Sequence, residues 1–148
     1  MDKEIRKQRL FQVLTEIGII QQLSATVFNR QLPEGLHISH FGVINHLCRL
    51  GDSRTPVELA SSFQVTKPTM TNTLTKLSAR GLIEIRNNPD DGRSKLVFLT
   101  PEGRTFRDRS IAALEPFMAR MDQEFDLEKL ADIQPVLQEL REYLDNNR

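Results

Sequence analysis

From about Ile5 to Gln31 the apolar residues Leu10, Leu14, Ile17, Leu23, Val27 and Phe28 recur at near-helical spacing with no proline. That pattern predicts one long helix, ended by Pro33-Glu34-Gly35. A second helix is expected behind Ser39 as N-cap, with Phe41, Ile44, Leu47 and Cys48 inward and Gly51 as its stop. Thr55-Pro56-Val57-Glu58 reads as a capping box with proline at the first helical position. It opens a short helix from about Pro56 to Phe63 that buries Leu59 and Phe63. Thr66 caps a fourth helix, from about Lys67 to Arg80, stopped by Gly81; Pro68 is tolerated because it sits in the first turn, where its missing N–H has no intrahelical partner.

The period then shortens. Leu82–Arg86 reads as a strand, Asn87–Ser94 as a turn around Pro89-Asp90-Asp91-Gly92, and Lys95–Leu99 as the returning strand. Thr100-Pro101 opens a fifth helix carrying Phe106, Leu114, Phe117, Met121 and Phe125, with a kink expected at Pro116. A sixth, from about Leu127 to Leu144, places Leu130, Ile133, Leu137, Leu140 and Leu144 at alternating steps of three and four. Pro135 is expected to kink or break it. The fold class is therefore mainly α with a small β-hairpin wing.

The second helix of the 55–80 pair is amphipathic in an unusual sense. Met70, Leu74 and Leu77 share one face, while Pro68, Thr69, Asn72, Thr75, Lys76 and Ala79 share the other. The second face is small and polar, carries a cation and lacks any carboxylate, so it suits close approach to base edges and phosphates. Two helices, a tight turn and a hairpin compose a winged helix-turn-helix, whose second helix enters the DNA major groove.

Composition changes this picture little. The 148 residues carry 20 basic and 20 acidic side chains, a length and charge content ordinary for one folded domain. Residues 1–51 and 52–104 are each slightly basic and residues 105–148 acidic, so an anionic partner would meet the middle of the chain. The single cysteine, Cys48, excludes an internal disulfide framework. No apolar run reaches the roughly 20 residues that span a bilayer, and no signal-peptide core follows the charged start, so a cytoplasmic protein with no membrane partner is expected.

Several short segments carry a resemblance. Glu58-Leu59-Ala60, Val65-Thr66-Lys67-Pro68-Thr69-Met70-Thr71, Leu77, Gly81-Leu82-Ile83, Pro89-Asp90-Asp91-Gly92-Arg93-Ser94-Lys95 and Leu99-Thr100-Pro101-Glu102-Gly103-Arg104 resemble the MarR family of dimeric winged-helix regulators. The resemblance is specific over about residues 55–104 and rests elsewhere on helix order. It implies one MarR-like domain over residues 1–148, with a winged reader lobe at about 36–100. Residues 1–35 and 101–148 would then form a helical dimerisation region. It also implies a repressor that binds a pseudo-palindromic operator in double-stranded DNA as a homodimer and answers a small aromatic or phenolic acid. The wing arginine of such proteins enters the minor groove, braced by an aspartate two residues earlier, which here are Arg93 and Asp91.

The DNA-contacting set expected on these grounds is Thr66, Lys67, Pro68, Thr69, Asn72, Thr75, Lys76, Arg86, Asp91, Arg93 and Lys95. Arg86 and Lys95 flank the wing, where phosphate contact and plain solubility are equally good readings. Family members often carry arginine at the position of Asn72. Asparagine pairs with adenine N6/N7, whereas arginine prefers guanine O6/N7, so the base preference should differ.

Other chemistry is thin. Cys48, in register with Ile44 and Leu47, reads as a small core hydrophobe rather than a redox sensor. His37 and His40 lie three apart, but with no further ligand nearby they do not compose a metal site. There is no nucleophile elbow, P-loop, zinc-helix motif or dinucleotide turn, so neither an enzyme nor a cofactor is expected. Asp90-Asp91 on a hairpin tip lacks the burial that tunes an acid–base pair. The rival reading is a winged-helix protein-interaction module that binds no DNA.

Overall fold

The computed structural model describes residues 1–148. It divides into two compact units, Met1–Ala113 and Leu114–Arg148. In the first, α1 (Lys3–Gln31), α2 (Ile38–Leu50), α3 (Pro56–Ser62) and α4 (Lys67–Ala79) precede a hairpin of β1 (Ile83–Asn87) and β2 (Lys95–Leu99). α5 (Pro101–Ala112) closes that unit, and α6 (Glu115–Glu124) with α7 (Leu127–Asn146) forms the second.

The core of the first unit collects Leu36, Val43, Ile44 and Leu47 with Leu59 of α3, Met70, Leu74 and Leu77 of α4, and Ile83 and Val97 of the hairpin. Each buried leucine contributes about 1.5–3 kcal/mol by leaving water. Val43, absent from the inward set expected for α2, is buried with the rest. Phe63 is only half-buried, because α3 ends at Ser62 and Phe63 serves as its C-cap, packing against Gly42 and the His46 ring from outside. Cys48 is likewise half-buried against the core.

The α3 capping box forms as expected. The Thr55 hydroxyl accepts from the Glu58 amide at 3.1 Å, and a Glu58 carboxylate oxygen accepts from the Thr55 amide. The start of α2 is different. His37, not Ser39, is the N-cap, and its backbone N–H donates to Nδ1 of His40 at 2.9 Å, a position where glutamate or glutamine usually sits. The next amide, Ile38, donates to Oδ1 of Asn29 on α1 at 2.6 Å. Ser39 does not take the role because the helix starts ahead of it, at Ile38, with the His40 side chain and Asn29 of α1 taking the two preceding amides.

β1 and β2 pair antiparallel with Ile83 opposite Leu99 and Asn87 opposite Lys95. Arg54 adds an isolated bridge on the far side of Val97, and Asp52 Oδ1 accepts from the Leu99 amide at 2.6 Å. At the root of the hairpin, the Thr100 hydroxyl donates to the Gly81 carbonyl at 2.6 Å and accepts from the Gly103 amide at 3.0 Å. A Cβ at Gly103 would lie 2.2 Å from the Leu82 carbonyl oxygen and 2.7 Å from Leu99 Cδ1, so only glycine lets α5 start there.

One proline expectation is corrected and the other is narrowed, since the helix around Pro135 does not break. Pro116 does not kink one fifth helix; the helix ends at Ala112 and a new one begins at Glu115, with proline in its first turn. Starting a helix costs proline nothing, whereas sitting inside one would clash with the carbonyl four residues back. Pro135, by contrast, lies within α7, which runs continuously from Leu127 to Asn146. The Asp126 side chain accepts from the Glu128 and Lys129 amides, so a capped start helps α7 absorb the one hydrogen bond that Pro135 forgoes.

α1, α6 and α7 contain no buried residue at all. On α1, Leu10, Leu14, Ile20 and Leu23 remain exposed, and only the C-terminal end docks, through the Phe28 ring 4.5 Å from that of Phe41. No helix is long and apolar enough to cross a membrane.

Candidate nucleic-acid interface

Helix α4 stands on Met70, Leu74 and Leu77, all at most 2% exposed, and turns every expected contact residue outward: Thr66, Lys67, Pro68, Thr69, Asn72, Thr75 and Lys76 are exposed. The Thr66 hydroxyl accepts from the Thr69 amide at 3.3 Å and donates to the Thr69 hydroxyl at 2.8 Å, tying down the first turn. The Asn72 amide makes no hydrogen bond within the chain, leaving its donors and its acceptor available.

The threonines are not available in the same way. Thr71, Thr73 and Thr75 each donate their hydroxyl proton to the carbonyl four residues earlier, at 3.0, 3.1 and 2.8 Å. Lys76 also departs from the simple picture. Its ammonium and the Arg80 guanidinium both lie against the loop that ends α1, 3.6 and 3.0 Å from where a Gly35 Cβ would be. Arg80 donates to the Glu34 carbonyl there. Arg80 thus anchors the C-terminal end of α4, a role with no local sequence signal because its partner is 46 residues away.

These cations surround His40. Burial first, then Lys76, His37 and Arg80, lower its pKa below the usual histidine value. His46 is lowered too, by burial and then by Arg54 and Arg49.

The wing tip is built from short polar turns. Asn88 Oδ1 accepts from the Asp90 amide, Asn88 Nδ2 donates to the Ser94 hydroxyl, and Asp91 Oδ1 accepts from the Arg93 amide at 3.0 Å. The brace expected between Asp91 and Arg93 is therefore made to the backbone and not to the guanidinium. An aspartate two residues back reaches the amide in an Asx turn, which leaves the exposed Arg93 side chain without a partner in the chain. Arg86 is engaged: it pairs with Glu84 at 2.9 Å and lies 4.1 Å from the Phe98 ring centroid. The Glu84 hydrogen bond raises its pKa further, so it stays charged throughout. Lys95 donates across the hairpin to Asn87 Oδ1.

A crevice of about 450 Å³ opens elsewhere in the same unit, walled by Pro33, Leu82, Pro101 and Phe106 with Arg109 and Glu102 at its edge. No group of three or more histidine, cysteine or acidic side chains is placed to hold a metal ion.

A capped recognition helix on a three-helix core, followed by a hairpin with a free arginine at its tip, defines a winged helix-turn-helix protein. Residues 34–94, which take in α2 to the wing tip, match the family model described as the MarR family. Solved structures agree over nearly the whole chain. BldR from Sulfolobus solfataricus is 24% identical with a TM-score of 0.76, covering 99% of both chains. A MarR regulator from Methanosarcina mazei is 19% identical with a TM-score of 0.80, covering 92% of this chain and 98% of its own. A variant of E. coli MarR complexed with operator DNA is 22% identical with a TM-score of 0.72, covering 89% and 95%. At these identities the likeness is one of fold.

Proposed function

We propose that this protein is a sequence-specific DNA-binding transcriptional repressor that acts as a homodimer and releases its operator when it binds a small organic effector. The observation that carries the reading is the pair of unpartnered side chains at the two reaching ends of the lobe, Asn72 on α4 and Arg93 on the wing. An amide that can pair with adenine and a guanidinium suited to a narrow minor groove are each idle in the free chain. Lys67 and Lys95 would supply phosphate contacts, and the Thr66 cap holds Thr69 and Pro68 at the entering end. The E. coli relative solved with operator DNA supports the same use of the fold.

In this reading residues 36–100 are the reader, while residues 1–35 and 101–148 join two copies. Two readers in successive major grooves need a two-fold axis and half-sites about one helical turn apart. The exposed leucines of α1 and α7 supply the apolar surface for that contact. The effector would be an aromatic or phenolic acid, for which the crevice walled by Leu82 and Phe106 offers apolar cover and Arg109 a cation.

Titration of the intact protein onto a random duplex at rising salt tests the DNA reading. Binding that falls steeply as counterions are released supports it. Absence of binding at low salt overturns it in favour of a protein-interaction module.

A further inference from the structure

We propose that Thr75, assisted by Thr71 one turn earlier, is a specificity residue that recognises the methyl group of thymine in the major groove. The inference rests on the DNA-reading function proposed above and adds the base its helix selects.

The argument begins with where the hydroxyl protons go. Thr75 donates to the Thr71 carbonyl at 2.8 Å and Thr71 to the Lys67 carbonyl at 3.0 Å, yet both side chains are exposed. What such a threonine offers a partner is a methyl group and an oxygen that only accepts. The A·T pair alone presents the complement of that combination in the major groove, a thymine methyl beside the adenine N6 donor. A G·C pair places no methyl there.

Position agrees. Thr75 lies three residues after Asn72 and four after Thr71, so it neighbours each of them on the helix surface. Thr73, whose hydroxyl is held in the same way, is half-buried and faces the lobe. The other readout groups are missing from this stripe. α4 contains no carboxylate to accept from cytosine N4. Its Lys76 ammonium, the group that would pair with guanine, is drawn to the Gly35 loop beside Arg80. The outward surface around Thr75 is thus an amide, methyl groups and acceptor oxygens, with Pro68 and Ala79 on either side.

The test uses the tightest duplex recovered from a random pool by the intact protein, with each thymine of a half-site replaced in turn by deoxyuridine, which lacks only the methyl. Wild type should lose about fourfold in affinity at one or two positions, the factor that burying one methyl group carries. Thr75→Ser, which keeps the hydroxyl and removes the methyl, should bind thymine and uracil duplexes equally at one of those positions. Thr75→Val, which keeps the shape and removes the hydroxyl, should retain the discrimination; thermal unfolding of both variants checks that they are folded. Operator binding that is indifferent to every thymine methyl overturns the proposal and leaves the DNA-reading function standing. So does a Thr75→Val protein that loses the discrimination while Thr75→Ser keeps it, because the hydroxyl would then be the reader. If the protein recovers no duplex from the pool, both the function and this inference fall.

Discussion

Helices α1 and α4 both turn a long face to water, but the two faces differ in chemistry. α4 buries three residues and exposes threonines, an asparagine and lysines, a surface that water solvates at no cost. α1, at 29 residues, buries none and exposes Leu10, Phe11, Leu14, Ile20 and Leu23, the last two at 60% and 65%. The first kind of surface can stand alone in solution and has the chemistry to meet an anionic polymer. The second leaves large apolar side chains in water, the chemistry of a packing surface. Exposure alone does not distinguish a binding face from a packing face; the residue chemistry on it does.

The comparison can be broken most forcefully on α1. Replacing Leu14 and Leu23 by aspartate should turn a dimer into a monomer in sedimentation at micromolar concentration, since an unpaired charge in a buried contact costs about 3–5 kcal/mol. Operator affinity should collapse with it, because the second reader loses its effective concentration. A dimer that survives both charges would place the interface elsewhere. On the polar side, Arg93→Ala should weaken operator binding roughly tenfold to a hundredfold while folding stability stays within about 0.5 kcal/mol, because an exposed wing charge holds little of the lobe together. Loss of thermal stability instead would assign Arg93 to the fold. Asn72→Ala should relax preference at a single position per half-site, by roughly tenfold, and an unchanged base profile would remove Asn72 from the readers.

The smallest effect lies at the junction of the two regions. The pKa of His40 is lowered in the fold, so the unfolded chain takes up a proton first as pH drops. Its contribution to stability is full above about pH 6.5 and is lost on acidification below that. Protonation at Nδ1 also removes the acceptor that holds the His37 amide. His40→Gln keeps an acceptor at the same helical position without a proton to gain, and should flatten this part of the profile. The lowered pKa of His46 leaves a residual slope of the same sign. An identical acid profile in wild type and variant would show that the cap does not titrate.

Much of this is legible in the amino-acid sequence. The Thr55 capping box, the proline and glycine punctuation and the 3.6-residue spacing locate helices α2 to α4, because those signals act within one turn. The outward set on α4 follows from the same periodicity. What escaped depends on distance or direction. Asn29 reaching the Ile38 amide, Arg80 reaching Glu34 and Asp52 reaching Leu99 are contacts between different segments of the chain. Whether Asp91 would hold the Arg93 side chain or its amide depends on local turn geometry that residue spacing leaves open. The threonine hydroxyls carry a sequence signal too, since threonine within a helix commonly bonds four residues back.

Gly103 has a mechanical consequence. With the Leu82 carbonyl seated where a side chain would be, and Thr100 bonded to both Gly81 and Leu82, helix α5 has no standoff from the hairpin root. There is no slack linker there to stretch or coil. A torque applied along α5 must therefore swing the wing and the end of α4 together, as a crank turns its arm. In such a build Arg93 and Thr75 change position in step, so a rotation of α5 re-aims the two together rather than loosening one of them.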